Sequence, residues 1–179
     1  MGIFRGGRAT ARLMLPRLRA MSNAAKQFRS APPLDPMALV RTCADALYRG
    51  AVECCRQHDR AARISGTSEP ELEHRHLDAL CAMCDGSLGE LTSAYTEAAA
   101  HMHPDRDEPW WHRANALWHA SREYARRHAG CDRLEKDVSS KHSPEKLKSM
   151  QMEYELEASA LLALRHSADA YQKTRPGLT

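Results

Sequence analysis

Apolar residues recur along most of this chain at steps of three and four, the spacing that lays a single stripe along an α-helix. Val40, Cys43, Leu47, Ala51 and Cys54 form the first stripe. Asp35 precedes it as an N-cap acceptor, and Pro36 takes the first helical position, where a missing N–H costs nothing. This pattern predicts a helix to about Arg63, stopped by Ser65-Gly66. Ser68 and Glu71 then read as a capping box opening a second helix. Its inward residues are Leu72, Ala79, Leu80 and Met83, and its end falls at Asp85-Gly86. Ser87 with Glu90 repeats the signal and starts a third helix, with Leu88, Leu91, Tyr95, Ala98 and Met102 inward and His103-Pro104 at its close.

Beyond a polar, proline-bounded link at 104–109, Asp107 caps a fourth helix containing Trp110, Ala114, Leu117, Trp118, Ser121 and Ala125. It fades near Gly130 or continues to about Val138. Ser143-Pro144 opens a fifth, in which Leu147, Met150, Tyr154, Leu161 and Ala168 share one side, and Arg175-Pro176-Gly177 ends it. The predicted fold is all-α, with three short-linked helices over 35–103 and a two-helix extension within 104–179. Links this short favour antiparallel neighbours.

Composition agrees with helix. Gly and Pro number only 9 each, and aromatics make up 6%, which leaves the core to Leu, Ala, Met and Cys. No run approaches the ~18 apolar residues of a membrane span. Charge divides the chain in two. Residues 1–34 carry seven basic groups (Arg5, Arg8, Arg12, Arg17, Arg19, Lys26, Arg29) and no acid. The remaining 19 basic residues face 23 acidic ones, a net of −4. A mildly acidic body removes the electrostatic argument for nucleic-acid binding. The Arg-rich, acid-free leader with scattered apolar residues has the composition of a mitochondrial targeting segment, not of a secretory signal.

With no secretory signal, the six cysteines (Cys43, Cys54, Cys55, Cys81, Cys84, Cys131) read as small hydrophobes on inner faces, not as a disulfide framework. Cys81-x-x-Cys84, with His74 and His76 upstream, is half of a possible zinc site that Cys54-Cys55 would have to complete. His101-Met102-His103 suits a helix C-terminal cap as well as a copper cluster, and Glu73-x-x-His76 lacks the second such pair that a di-iron bundle needs. Neither a phosphate-cradling glycine loop nor a nucleophile elbow occurs, so the expectation is a non-enzyme without a cofactor of its own.

Within the first helix stands Ala46-Leu47-Tyr48-Arg49-Gly50, trailed by Arg56, Arg60 and Arg63. Set after a targeting-like leader and followed by two further capped helices, this segment resembles the LYR-motif family of small mitochondrial proteins. The resemblance covers about residues 36–103. A Cys and an Arg after the motif, and a His-Pro pair before a long extension, make the layout most similar to the LYR accessory subunits of the respiratory complex I membrane arm. Helix two departs from the family pattern, since it offers Arg75, His74 and His76 but no Phe.

The resemblance implies a three-helix fold on the matrix side of the inner membrane, peripheral and not spanning. It implies docking of mitochondrial acyl carrier protein, an acidic partner bearing an acyl-phosphopantetheine arm, through Leu47, Tyr48, Arg49, Arg56, Arg60 and Arg63. Small side chains at Gly50 and Ala51 would admit the acyl chain, and Trp110, Trp111 and Trp118 would meet neighbouring subunits. Three other readings stay open: an assembly factor for iron–sulfur or respiratory complexes, a Cys/His metal-binding bundle, and an unrelated helical subunit of another mitochondrial assembly.

Overall fold

The computed structural model describes residues 35–64, 71–100, 102, 108–138 and 143–175. Within them the chain is all-helical, with no strand. The elements are α1 (Pro36–Ile64), α2 (Glu71–Ala99), α3 (Pro109–Val138) and α4 (Pro144–Gln172). The chain divides into two compact units, Met1–Met102 and His103–Thr179. Each unit holds one packed pair of helices, α1 on α2 and α3 on α4. No helix among the described residues is long and apolar enough to cross a membrane.

The proline-led helix starts form as their sequence dictates. Asp35 Oδ1 accepts the Met37 N–H at 3.1 Å, and the Asp35 carbonyl accepts Leu39 N–H at 3.0 Å. Ser143 sits in extended backbone before Pro144, makes no side-chain cap, and accepts Leu147 N–H on its carbonyl at 3.1 Å. The Glu108 carbonyl receives Trp111 N–H at 3.0 Å, while the expected cap at Asp107 lies outside the described residues. So do Ser65-Gly66, Ser68, His101, His103 and the whole of 1–34.

In the first unit the buried stripe of α1 is the expected one, with Val40, Cys43, Leu47, Ala51 and Cys54 all inside. Cys43 lies in the field of Glu97, whereas Cys54 and His58 meet Asp85, so α1 and α2 run antiparallel.

The expected break at Asp85-Gly86-Ser87 does not occur. Residues 35–103 give two described helices instead of three, because α2 runs unbroken from Glu71 to Ala99. Phase explains it. Leu77, Leu80, Cys84, Leu88, Leu91 and Tyr95 are buried at steps of three and four, and the stripe keeps its face across 85–87. Two helical glycines, Gly86 and Gly89, cost about 1 kcal/mol each against alanine. Burying Leu88, Leu91 and Tyr95 contributes about 1.5–3 kcal/mol apiece, and a break would swing them off the seam. Burial wins over local turn chemistry. Two residues expected inward, Ala79 and Met83, stand exposed because they fall beside this stripe.

In the second unit the connection at 139–142 is far too short to carry the chain back along a helix of about 45 Å, so packed α3 and α4 are antiparallel. Trp110, Ala114, Leu117, Ser121, Tyr124 and Cys131 form the buried side of α3. The side expected inward on α4 is corrected except at Ala168, which is buried as expected. Leu147 is 44% exposed and Tyr154 38%, while Ala160, Leu164, Ala168 and Tyr171 are buried. Followed toward the N-terminus, that buried line reaches Glu157 and Glu153, which pair with α3. Arg127 Nη1 lies 3.3 Å from Glu153 Oε1, and His128 Nδ1 lies 2.7 Å from Glu157 Oε1. Carboxylates on the packing line disguise it as a solvent face.

Candidate functional site

Helical rotation of about 100° per residue places Arg49, Arg56, Arg60 and Arg63 within an arc of about 60° on α1. Arg49, Arg56 and Arg63 are exposed and Arg60 is half-buried. Arg56 donates to Glu53 Oε1 at 2.8 Å, and Arg63 Nε donates to the Asp59 carbonyl at 3.2 Å. An open i,i+3 ion pair contributes only about 0.3–0.5 kcal/mol, so it does not lock the Arg56 guanidinium against a better acidic partner. Away from the ridge, Leu47 is fully buried, Gly50 and Ala51 are buried, and Tyr48 is half-buried. The LYR triplet thus straddles the boundary between core and solvent, with its leucine inside and its arginine out.

On the opposite side of α1 is a constellation that sequence reading missed. Cys54 and His58 stand one helical turn apart, an i,i+4 pair on one face. Asp85 reaches them from α2. The Cys54 Sγ–H donates to Asp85 Oδ1 at 3.2 Å, and His58 Nε2 lies 3.2 Å from the same oxygen. The three ligand-type atoms all fall within 4.8 Å of one another. Cys54 is fully buried, and the side chains of Asp85 and His58 are 8% and 21% exposed. The only local signal was Cys-x-x-x-His. Its third member stands 27 residues on, at a position that reads as a helix end.

Chemistry at this trio is constrained by its wiring. In a nucleophile–base–acid relay the imidazole bridges thiol and carboxylate through its two nitrogens. Here the thiol and one imidazole nitrogen converge on one carboxylate oxygen, so the carboxylate and not the imidazole takes the thiol's hydrogen bond. The buried Cys54 also offers no face to a substrate. Convergence of sulfur, nitrogen and oxygen on one point is instead the arrangement of a ligand set.

The cysteines and histidines singled out from sequence stand elsewhere. Cys81 and Cys84 are buried on the α1-facing side of α2. Burial, then the field of Asp85 and Asp78, pushes the Cys81 thiol up to about 11. Burial, then Glu53 and Asp85, pushes Cys84 up to about 12. Both remain protonated packing groups at neutral pH. Among the described residues they join no group of three ligand-type side chains. His76 sits about 140° around the helix from Cys81, its Nε2 buried without a hydrogen-bond partner. The His74 side chain lies outside the described residues. All six cysteines are buried.

Of the three tryptophans, Trp110 is buried and its indole N–H donates to Glu108. Trp111 meets it edge-to-face at 5.8 Å. Trp118 stacks edge-on with His119 at 4.5 Å, and the Arg122 guanidinium lies 4.9 Å from its ring centre. Trp111 and Trp118 are half-buried, which leaves them, and not Trp110, at the surface of their unit.

No family model, no curated protein and no solved structure matches this chain.

Proposed function

We propose that this chain is a non-catalytic accessory or scaffold subunit of a mitochondrial respiratory complex, complex I above all, in which α1 docks acyl carrier protein. One observation carries the reading. Arg49, Arg56, Arg60 and Arg63 line the outer side of α1, while the buried Leu47 and Ala51 occupy its inner side. A row of guanidiniums on a body of net −4 steers an acidic partner to one face, and the planar fork pairs bidentately with carboxylate or phosphate. The basic, acid-free composition of residues 1–34 supports the mitochondrial matrix as the compartment.

The two-helix outcome alters one detail of the expectation. Among the described residues between 35 and 103 no third helix encloses an acyl arm, so the arm would lie along the α1–α2 seam beside Gly50 and Ala51. Trp111 and Trp118 offer half-exposed aromatic contact area to a neighbouring subunit.

Affinity purification of the full chain from mitochondria, followed by identification of the co-purifying chains, tests the proposal. Acyl carrier protein should be present in stoichiometric amount. The pair Arg49→Glu, Arg56→Glu should cut its recovery at least about tenfold, the equivalent of about 1.4 kcal/mol. Undiminished recovery from that variant ends the docking reading. Recovery that is substoichiometric and transient shifts the assignment to an assembly adaptor.

A further inference from the structure

We propose that Cys54, His58 and Asp85 form a binding site for one zinc-class divalent cation, clamping α1 to α2. The cation would take the Cys54 sulfur, the His58 Nε2 and the Asp85 carboxylate, with water in the fourth position.

Three observations carry the argument. The donor set is sulfur, imidazole and carboxylate, the combination that borderline-soft, tetrahedral zinc selects over calcium or magnesium. The spacing is right for it: zinc bonds of about 2.0–2.3 Å in a tetrahedron hold ligand atoms about 3.3–3.6 Å apart. The two contacts to Asp85 Oδ1 are 3.2 Å each, and all three donors lie within 4.8 Å of one another, so small side-chain shifts bring them to that spacing around an ion. The third observation is placement. The i,i+4 pair comes from α1 and the carboxylate from α2, and packed helices on both sides hold all three. Partial exposure of the imidazole gives the ion a route in from solvent.

Burial also favours occupancy. An ionised carboxylate that is 8% exposed suffers desolvation, and a divalent cation compensates for it far better than a thiol proton does. On binding, the Cys54 thiol releases its proton to solvent and the sulfur coordinates as thiolate. His58 coordinates as neutral imidazole, and Asp85 contributes its existing negative charge. The site faces the opposite side of α1 from the arginine ridge and is independent of the docking proposal.

Cobalt(II) titration of the chelator-stripped full-length chain, under anaerobic conditions, provides the test. One equivalent should produce a thiolate-to-cobalt charge-transfer band together with the intense visible bands of tetrahedral coordination, and zinc(II) should displace both. Cys54→Ser should abolish the charge-transfer band. Asp85→Asn and His58→Gln should each weaken binding by about 100-fold or more, since outer partners of metal ligands alone are worth about 10–100-fold. Cys81→Ser and Cys84→Ser should leave the spectrum unchanged. Helicity measured on each variant separates lost ligation from lost fold, and the partly exposed His58 is the substitution most easily accommodated. Absence of the band in the unmodified chain overturns the proposal. So does a band that survives Cys54→Ser, or one that disappears only with Cys81→Ser or Cys84→Ser. None of these readouts involves acyl carrier protein, so either proposal can fail while the other stands.

Discussion

Replacing Gly86 and Gly89 by alanine asks the structure whether α2 is one helix or two, because the answer reverses the sign of the effect. If the chain broke at Asp85-Gly86, Gly86 would occupy a left-handed C′ position, and a Cβ there costs about 1 kcal/mol. In the continuous helix neither glycine has a positive φ, and a Cβ built on either meets nothing within 4 Å. Each substitution then gains the ordinary Gly-to-Ala difference, about 0.5–1 kcal/mol, through reduced freedom of the unfolded chain. The two positions touch no common side chain through their new methyls, so the double variant should gain about 1–2 kcal/mol. Urea unfolding followed by far-ultraviolet dichroism measures this. With a slope of about 1–3 kcal/mol per molar, the midpoint should rise by roughly 0.3–2 M at unchanged slope. A midpoint that falls for Gly86→Ala would refute the continuous helix and restore a turn at this point.

Two further outcomes follow from side-chain placement. On α4, Leu164→Ala should cost about 2–5 kcal/mol, because the side chain is fully buried, while Leu147→Ala should cost less than about 1. Equal costs in denaturant unfolding would mean that the packing face is wrongly assigned. Alkaline pH should destabilise the fold. Burial raises Cys43 and Cys81 to about 11 and Cys84 and Cys131 to about 12, all from about 9.0. The folded chain therefore keeps thiol protons that the unfolded chain gives up. Stability is complete below about pH 9 and falls as pH climbs through 11–12. Thiol alkylation should stay slow near pH 8 until denaturant is added, and rapid labelling of the native protein at that pH would contradict the burial of these groups.

How much of this was legible follows from where the information sits in the chain. Helix starts at Asp35-Pro36 and Ser143-Pro144 were readable because proline fixes φ and removes a donor locally. The inner stripe of α1 was readable because its positions are uniformly apolar or small. At Asp85-Gly86-Ser87 the local signal was real but weaker than the long-range burial that stays in phase across it. On α4 the line was hidden by Glu153 and Glu157, whose reason for facing inward is Arg127 and His128 on another helix. The Cys54–His58–Asp85 trio was hidden for the same reason: two members share a face on α1, and the third comes from across the seam. Patterns within one helix can be read from sequence; pairings between helices cannot.

The charged half of the α3–α4 seam has a consequence for how that hairpin holds together. Its ion pairs, Arg127–Glu153 and His128–Glu157, lie toward the 139–142 connection beside the small buried Cys131, while its large apolar contacts, from Trp110 to Tyr124 and from Ala160 to Tyr171, lie toward the far ends. Cohesion therefore grows with distance from the turn, the reverse of a zipper that closes outward from its loop. Contacts cheap in loop entropy are the weak ones here, and the strong ones demand that nearly the whole hairpin be in place first. Amide protons should be best protected near the tips and should exchange soonest beside the bend, with added salt widening that gradient by screening the charged rungs alone.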